Sequence, residues 1–144
     1  MIRVINDNDI NEIVSLIKQL DESNSIKDIY ELKEKIKSLQ KKEHIKIYGF
    51  DFNNKIVGMY TIAFIDGITQ SFRPFSIIEN VVVDSDHRNK DIGKKLMEHA
   101  IEIAKQKNCY KIVIETGTKK EWKLKFYEKC GFSRGEKTAF IKRF

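Results

Sequence analysis

Apolar residues recur along the first forty positions with the period of an α-helix. Ile10, Ile13, Val14, Ile17 and Leu20 share one face, Ile29, Leu32, Ile36 and Leu39 share another, and charged residues occupy the opposite sides. The spacing predicts two amphipathic helices, the first capped by Asp7 or Asn8, the second beginning near Ser25, joined across Asp21 to Asn24. Residues 2–5, Ile-Arg-Val-Ile, read as a short strand before them. From Ile45 the period shortens. Ile45, Ile47, Tyr48 and Phe50 lead into the turn-rich Asp51-Phe52-Asn53-Asn54-Lys55, and the run from Ile56 to Ile65 follows, which predicts a hairpin. Asp66-Gly67 and a loop holding Pro74 separate this from Phe75 to Asp84, whose Val81-Val82-Val83 is expected of a central strand covered on both faces.

Downstream the order is loop, helix, strand. Ser85 to Lys90 is polar, Asp91 to Lys107 carries Ile92, Leu96, Ala100, Ile103 and Ala104 on one stripe, and Lys111 to Thr116 is again β-branched. This is a βαβ unit, so the two strands should be parallel neighbours with a right-handed crossover. A last helix over Lys120 to Lys129 stops at Gly131, and Phe132 with the tail Thr138 to Phe144 reads as a closing antiparallel hairpin. A length of 144 residues fits a single domain spanning residues 1–144.

Composition narrows the class. Hydrophobic residues at 41% and charged residues at 33% are globular proportions. The two cysteines, Cys109 and Cys130, have neither CxxC spacing nor a histidine pair nearby, so neither a disulfide framework nor a metal site is expected. No stretch reaches the roughly 18 consecutive apolar residues of a membrane span, and Met1-Ile2-Arg3-Val4 lacks the apolar core of a signal peptide; a cytoplasmic protein is the expectation. The net charge of +6 is compatible with an anionic partner, a nucleotide phosphate or a nucleic acid.

The informative segment runs from Val81 to Leu96. A polar loop leads from a central strand into a helix N-terminus, where the first N–H groups lack intrahelical partners and the helix dipole is positive. Arg88, Lys90, Lys94 and Lys95 add charge at the same end, an arrangement that favours phosphate. Neither a Walker loop nor a dinucleotide fingerprint occurs, and solvated basic residues in an ordinary βα turn would give a similar pattern.

Glu79-Asn80-Val81-Val82-Val83-Asp84, followed by Arg88-Asn89-Lys90-Asp91-Ile92-Gly93-Lys94-Lys95-Leu96, resembles motif A of the GNAT superfamily, in which (Arg/Gln)-x-x-Gly-x-(Gly/Ala) wraps the pyrophosphate of CoA. Lys125-Phe126-Tyr127-Glu128-Lys129-Cys130-Gly131-Phe132 resembles its motif B. The resemblance implies an α/β (α+β) fold with a mixed, mostly antiparallel sheet, splayed between two parallel strands and flanked by helices. It also implies acetyl transfer from acetyl-CoA to a primary amine by direct attack in a ternary complex. Cofactor-binding positions implied are Val81, Val82, Val83, Arg88, Asn89, Lys90, Asp91, Ile92, Gly93, Lys94, Lys120 and Tyr127. Two of them depart from the family pattern. Asp91 stands at the usual first glycine, where a carboxylate can cap the helix but repels phosphate, and Lys120 replaces a common asparagine.

Two residues are candidates for the chemistry. Tyr127, a phenol protonated at neutral pH, can donate to a departing thiolate, and Glu79, acidic in an apolar strand, is the candidate base through a water if burial raises its pKa. Packing of Phe126-Tyr127 on the sheet and a solvated Glu79 are the plainer readings of the same residues. Trp122, Tyr30 and Phe72 to Phe75 are candidates to line the acceptor cleft. Two other classes fit the sequence: a CoA-binding regulatory domain with little catalysis, and a basic nucleic-acid module, the latter disfavoured because no recognised nucleic-acid motif occurs. A homodimer is the family habit.

Overall fold

The computed structural model describes residues 1–20, 26 and 28–144. In chain order its elements are β1 (Ile2–Val4), α1 (Ile10–Leu20), α2 (Ile29–Gln40), β2 (Ile45–Phe52), β3 (Lys55–Ile65), β4 (Phe75–Val83), α3 (Ile92–Gln106), β5 (Ile112–Ile114) and α4 (Glu121–Lys129). The five strands form one sheet in the order β1-β2-β3-β4-β5, antiparallel throughout except for the parallel β4–β5 pair. This is the mixed α/β architecture the sequence predicts, with the crossover through α3.

The sheet separates two apolar layers because alternate side chains of a strand point to opposite faces. On one side Ile13 and Leu16 of α1 and Ile36 of α2 pack with Ile56, Met59 and Val82. On the other Leu96, Met97 and Ala100 of α3 pack with Tyr60, Ile62 and Ile78, and Phe126, Tyr127 and Phe132 lean on the same layer. Gly49 is required by the first layer, since a Cβ there would meet Ile5 and Ile56 side chains at 2.8 and 2.9 Å.

Local signals account for most boundaries. Asn53 and Asn54 both have positive φ, 52° and 62°, giving the two-residue turn whose twist suits a β2–β3 hairpin. The first cap is neither Asp7 nor Asn8. Asn6 accepts from the N–H of Asn8 while Asp9 accepts from the N–H of Asn6, and a 3-10 turn, Asp7–Asp9, leads into α1. Asp9 is committed further, taking two 2.8 Å bonds from Arg3, whose Nε also reaches Asp51 Oδ2 at 2.9 Å. This ties β1 to the end of β2. The second helix is described from Ile29, where Asp28 Oδ1 accepts from the N–H groups of Tyr30 and Glu31; the joint predicted at Asp21 to Asn24 and the start at Ser25 lie outside the described residues.

The predicted closing hairpin is a correction. No strand forms at Phe132 or Thr138 to Phe144, so β5 is the sheet edge among the described residues. Arg134 instead folds back on α4, pairing with Glu121 at 2.7 Å and Glu128 at 2.8 Å, and beyond it Phe140, Ile141 and Phe144 stay exposed with nothing to bury against. The central strand also differs from expectation. Ser76, Ile78 and Val82 are buried, but Glu79 and Asn80 between them are exposed.

Candidate active site

Three features of β4 converge on one place. First, its parallel pairing with β5 ends at Ile78↔Ile114, so Glu79 to Val83 have β3 on one side and no strand on the other. The peptide groups facing that gap are free of a sheet partner, which is the splay expected between the parallel strands. Second, a β-bulge interrupts the β3–β4 ladder: Thr61 pairs with Glu79 and Met59 with Val82, leaving Tyr60 opposite both Asn80 and Val81. Asn80 absorbs the extra residue with φ of 56°, and its Nδ2 donates to Thr61 Oγ1 at 3.3 Å. Third, the strand beyond the bulge is locked on both faces, Val82 in the α1–α2 layer and Val81 and Val83 in the α3 layer.

The bulge explains why Glu79 is not a buried acid. Two consecutive side chains, Glu79 and Asn80, turn outward, so the burial considered for Glu79 is absent. Glu79 stands exposed beside the gap, opposite Thr61.

The loop after β4 is built by its own side chains. Asp84 Oδ1 accepts from the N–H of Asp86 and faces His87 Nδ1 at 3.1 Å, holding a 3-10 turn at Ser85–His87. Hydrogen bonds from Gln19 and His87 hold the Asp84 carboxyl below the usual carboxylate range. Arg88 Nε donates to Val83 O at 3.2 Å and Lys90 Nζ to Asp86 O at 3.0 Å. Asn89 and Asp91 adopt left-handed backbone conformations, φ 60° and 58°, which Asn and Asp tolerate better than other L residues. Asp91 makes no side-chain cap, contrary to expectation; its backbone is left-handed rather than in the extended conformation of a side-chain-capping residue. The first α3 bond is Lys95 N–H to Asp91 O, so the N–H groups of Ile92, Gly93 and Lys94 lack intrahelical acceptors. Those free donors with Lys90, Lys94 and Arg88 are chemically suited to a pyrophosphate.

The two sequence motifs meet in space. A Cβ on Gly93 would approach the Phe126 ring at 3.2 Å, so the glycine of the loop is where α4 comes close to α3. Tyr127 follows on the inner side of α4, edge-to-face with Phe126 at 5.1 Å and Phe132 at 6.5 Å. Burial, and then the Cys130 thiol, push its phenol pKa up. Burial likewise raises the Cys130 thiol, which disfavours the thiolate needed of a nucleophile. Lys120 is the exposed N-cap of α4 and its N–H donates to Thr118 Oγ1, with no side-chain cap.

Other residues shape the region without a signal in the sequence. Gln19 of α1 donates to Asp84 Oδ2 and accepts from the Ser85 N–H, both at 2.9 Å. Behind the bulge, buried Tyr60 places its hydroxyl 2.7 Å from His99 Nδ1 of α3, and Tyr48 stacks on Tyr60. Between the α1–α2 pair and the sheet lies a cleft of about 220 Å³, walled among the described residues by aliphatic side chains and Met59 and by Lys35, Thr61 and Asn80. Trp122, Tyr30 and Phe72 do not line it and are exposed. No cluster of three or more His, Cys, Asp or Glu suited to a metal, and no helix long and apolar enough to cross a membrane, occurs among the described residues.

The Acetyltransferase (GNAT) family model matches residues 10–132. This chain is a member of that family. Glucosamine 6-phosphate N-acetyltransferase of Trypanosoma brucei brucei is 30% identical over 138 residues, 94% of this chain and 90% of that protein. The crystal structure of a Trypanosoma brucei acetyltransferase superposes with a TM-score of 0.83 at 28% identity, covering 99% of both chains. That of glucosamine-6-phosphate N-acetyltransferase from Arabidopsis thaliana gives 0.85 at 26%, covering 100% of this chain and 97% of the other. As a GNAT enzyme the protein is an acetyl-CoA-dependent N-acetyltransferase.

Proposed function

We propose that this GNAT enzyme acetylates a primary amine by direct attack on acetyl-CoA, with the thioester held at the gap beside Val81 to Val83. The carrying observation is the conjunction at β4: pairing with β5 stops at Ile78, the bulge at Asn80 follows, and the next loop presents free α3 N–H groups and basic side chains. The pyrophosphate sits on the N–H groups of Ile92, Gly93 and Lys94, with Arg88 and Lys90 releasing their carbonyl contacts and Lys94 its Glu98 partner to meet it. Asn89 and Asp91 shape the turn rather than touch the phosphates through their side chains, and Lys120 supplies charge at the mouth.

In the transfer step the amine nitrogen forms a bond to the thioester carbon and the carbon–sulfur bond breaks. The proton lost by the amine passes through water to Glu79, which stands exposed beside the gap and acts as an exit for the proton. The thiolate takes a proton from Tyr127, whose raised pKa keeps the phenol loaded at neutral pH. Positioning of the two reactants supplies much of the rate, so few chemical groups are needed. The test is thiol release from acetyl-CoA with an amine panel, wild type beside Tyr127→Phe. Binding of acetyl-CoA without release by any amine would favour a regulatory domain instead. Glucosamine 6-phosphate is the second acceptor reading, favoured by the name of a relative aligned over nearly the full length of both chains.

A further inference from the structure

The cleft between the helix pair and the sheet has a composition that its position does not require. Ile17 of α1, Leu32 and Leu39 of α2, and Ile47 and Met59 of the sheet leave an open cleft of about 220 Å³ between them, beside the packed apolar layer and bordered by the exposed Lys35 and Asn80. Apolar walls that face open space forgo the contacts that closer packing would give. An apolar cavity of about 150 Å³ stays dry and accepts benzene, so this one has room for a larger apolar group. Its polar wall is short. Thr61 Oγ1 and Asn80 Nδ2 are bonded to each other, and Asn80 directly precedes the Val81 to Val83 segment. Among the described residues Lys35, exposed on α2, is the one charged residue of the lining.

From this we infer that the acceptor is an amine carrying an apolar body, a branched aliphatic or aromatic group, which fills the cleft while the amine lies against Thr61 and Asn80. The inference rests on the acetyl-transfer reading above and names the substrate class for the same site. A sugar phosphate would set several hydroxyl groups against aliphatic walls with few polar partners among the described residues, which is costly.

The probes are 2-phenylethylamine and isopentylamine against ethanolamine and glucosamine 6-phosphate. Thiol release from acetyl-CoA measures transfer, and calorimetric titration of each amine into the protein with CoA measures binding. The kcat/KM for 2-phenylethylamine is expected to exceed that for ethanolamine at least about tenfold, the low end of what one buried methylene group discriminates. Leu32→Trp, which fills the cleft from α2, is expected to remove that preference while acetyl-CoA affinity changes by less than roughly twofold, since Leu32 belongs to α2 and not to the β4–α3 loop that holds the pyrophosphate. Equal use of the two amines, or better use of glucosamine 6-phosphate than of 2-phenylethylamine, overturns the inference and leaves acetyl transfer standing. If no amine releases thiol but 2-phenylethylamine binds wild type and not Leu32→Trp, the apolar site stands and the transfer reading fails. If it neither binds nor reacts, both fail. The wild-type panel decides the question even where the variant does not fold.

Discussion

The side-chain amide of Gln19 donates to Asp84 Oδ2 at 2.9 Å, joining the last turn of α1 to the residue that follows β4 and begins the loop before α3. With the second bond, from the Ser85 N–H, Gln19 positions the loop from the opposite face of the sheet. Gln19→Ala removes both. At about 1 kcal/mol for each net hydrogen bond, the variant is expected to unfold at a lower urea midpoint and to show a raised KM for acetyl-CoA with kcat little changed. An unchanged KM would mean that the loop holds its shape without α1.

Asp91 holds φ 58° without capping α3, so its carboxylate brings repulsion to the phosphate end and no compensating bond. Asp91→Gly relieves a left-handed backbone that costs an L residue about 1 kcal/mol and removes the charge. Tighter acetyl-CoA binding by calorimetry is the expected outcome. Weaker binding would show that the carboxylate is needed to order the loop.

Tyr127→Phe keeps the ring contacts with Phe126 and Phe132 and loses only the hydroxyl. A fall in kcat on the order of 100-fold, as for loss of a general acid, with acetyl-CoA affinity nearly unchanged, is the expected signature. Equal loss of affinity would place the hydroxyl in binding instead.

How much of this was readable from residues alone depends on the range of the interactions. The helix stripes, the Asn53-Asn54 turn and the βαβ unit are local patterns, and they appear where the periodicity places them. Gly93 was legible as a motif residue, but its packing reason, the Phe126 ring, lies 33 positions away and is visible only in three dimensions. Glu79 was a candidate buried base because β4 was expected to be covered on both faces; the left-handed Asn80 inserts a residue, and the solvated reading of Glu79 is the one that holds. The tail was misread because Phe140, Ile141 and Phe144 resemble a strand, although nothing within the described chain offers a partner. Gln19 had no signal, being one polar residue on a helix rich in them.

Stability should fall toward both ends of the pH scale for separable reasons. Burial lowers the His99 pKa, so the folded chain binds this proton less readily than the unfolded one. The associated stability is complete above the unfolded value of about 6.5 and is lost as pH falls through the folded one. Urea midpoints at pH 7.5 and 5.5 should therefore separate in wild type and draw together in His99→Gln. Burial raises the Tyr60 and Tyr127 phenols, so their contribution is complete below about pH 10 and is lost as pH rises further. Tyr60→Phe should be the less alkali-sensitive chain.

The short contact between Tyr60 and His99 also fixes where a proton resides. The Tyr60 side chain is fully buried and, among the described residues, its hydroxyl has one polar neighbour, His99 Nδ1 at 2.7 Å. A buried hydroxyl needs an acceptor for its hydrogen, so Nδ1 must accept, and the imidazole proton is confined to Nε2. The Asn80 bulge lies directly across the β3–β4 ladder from Tyr60. The nitrogen resonances of this one imidazole are thus a built-in spectroscopic gauge: any displacement of β4 that pulls Tyr60 away from α3 will free Nδ1 and mix the two tautomers, reporting in real time on the backbone segment where the thioester is proposed to lie.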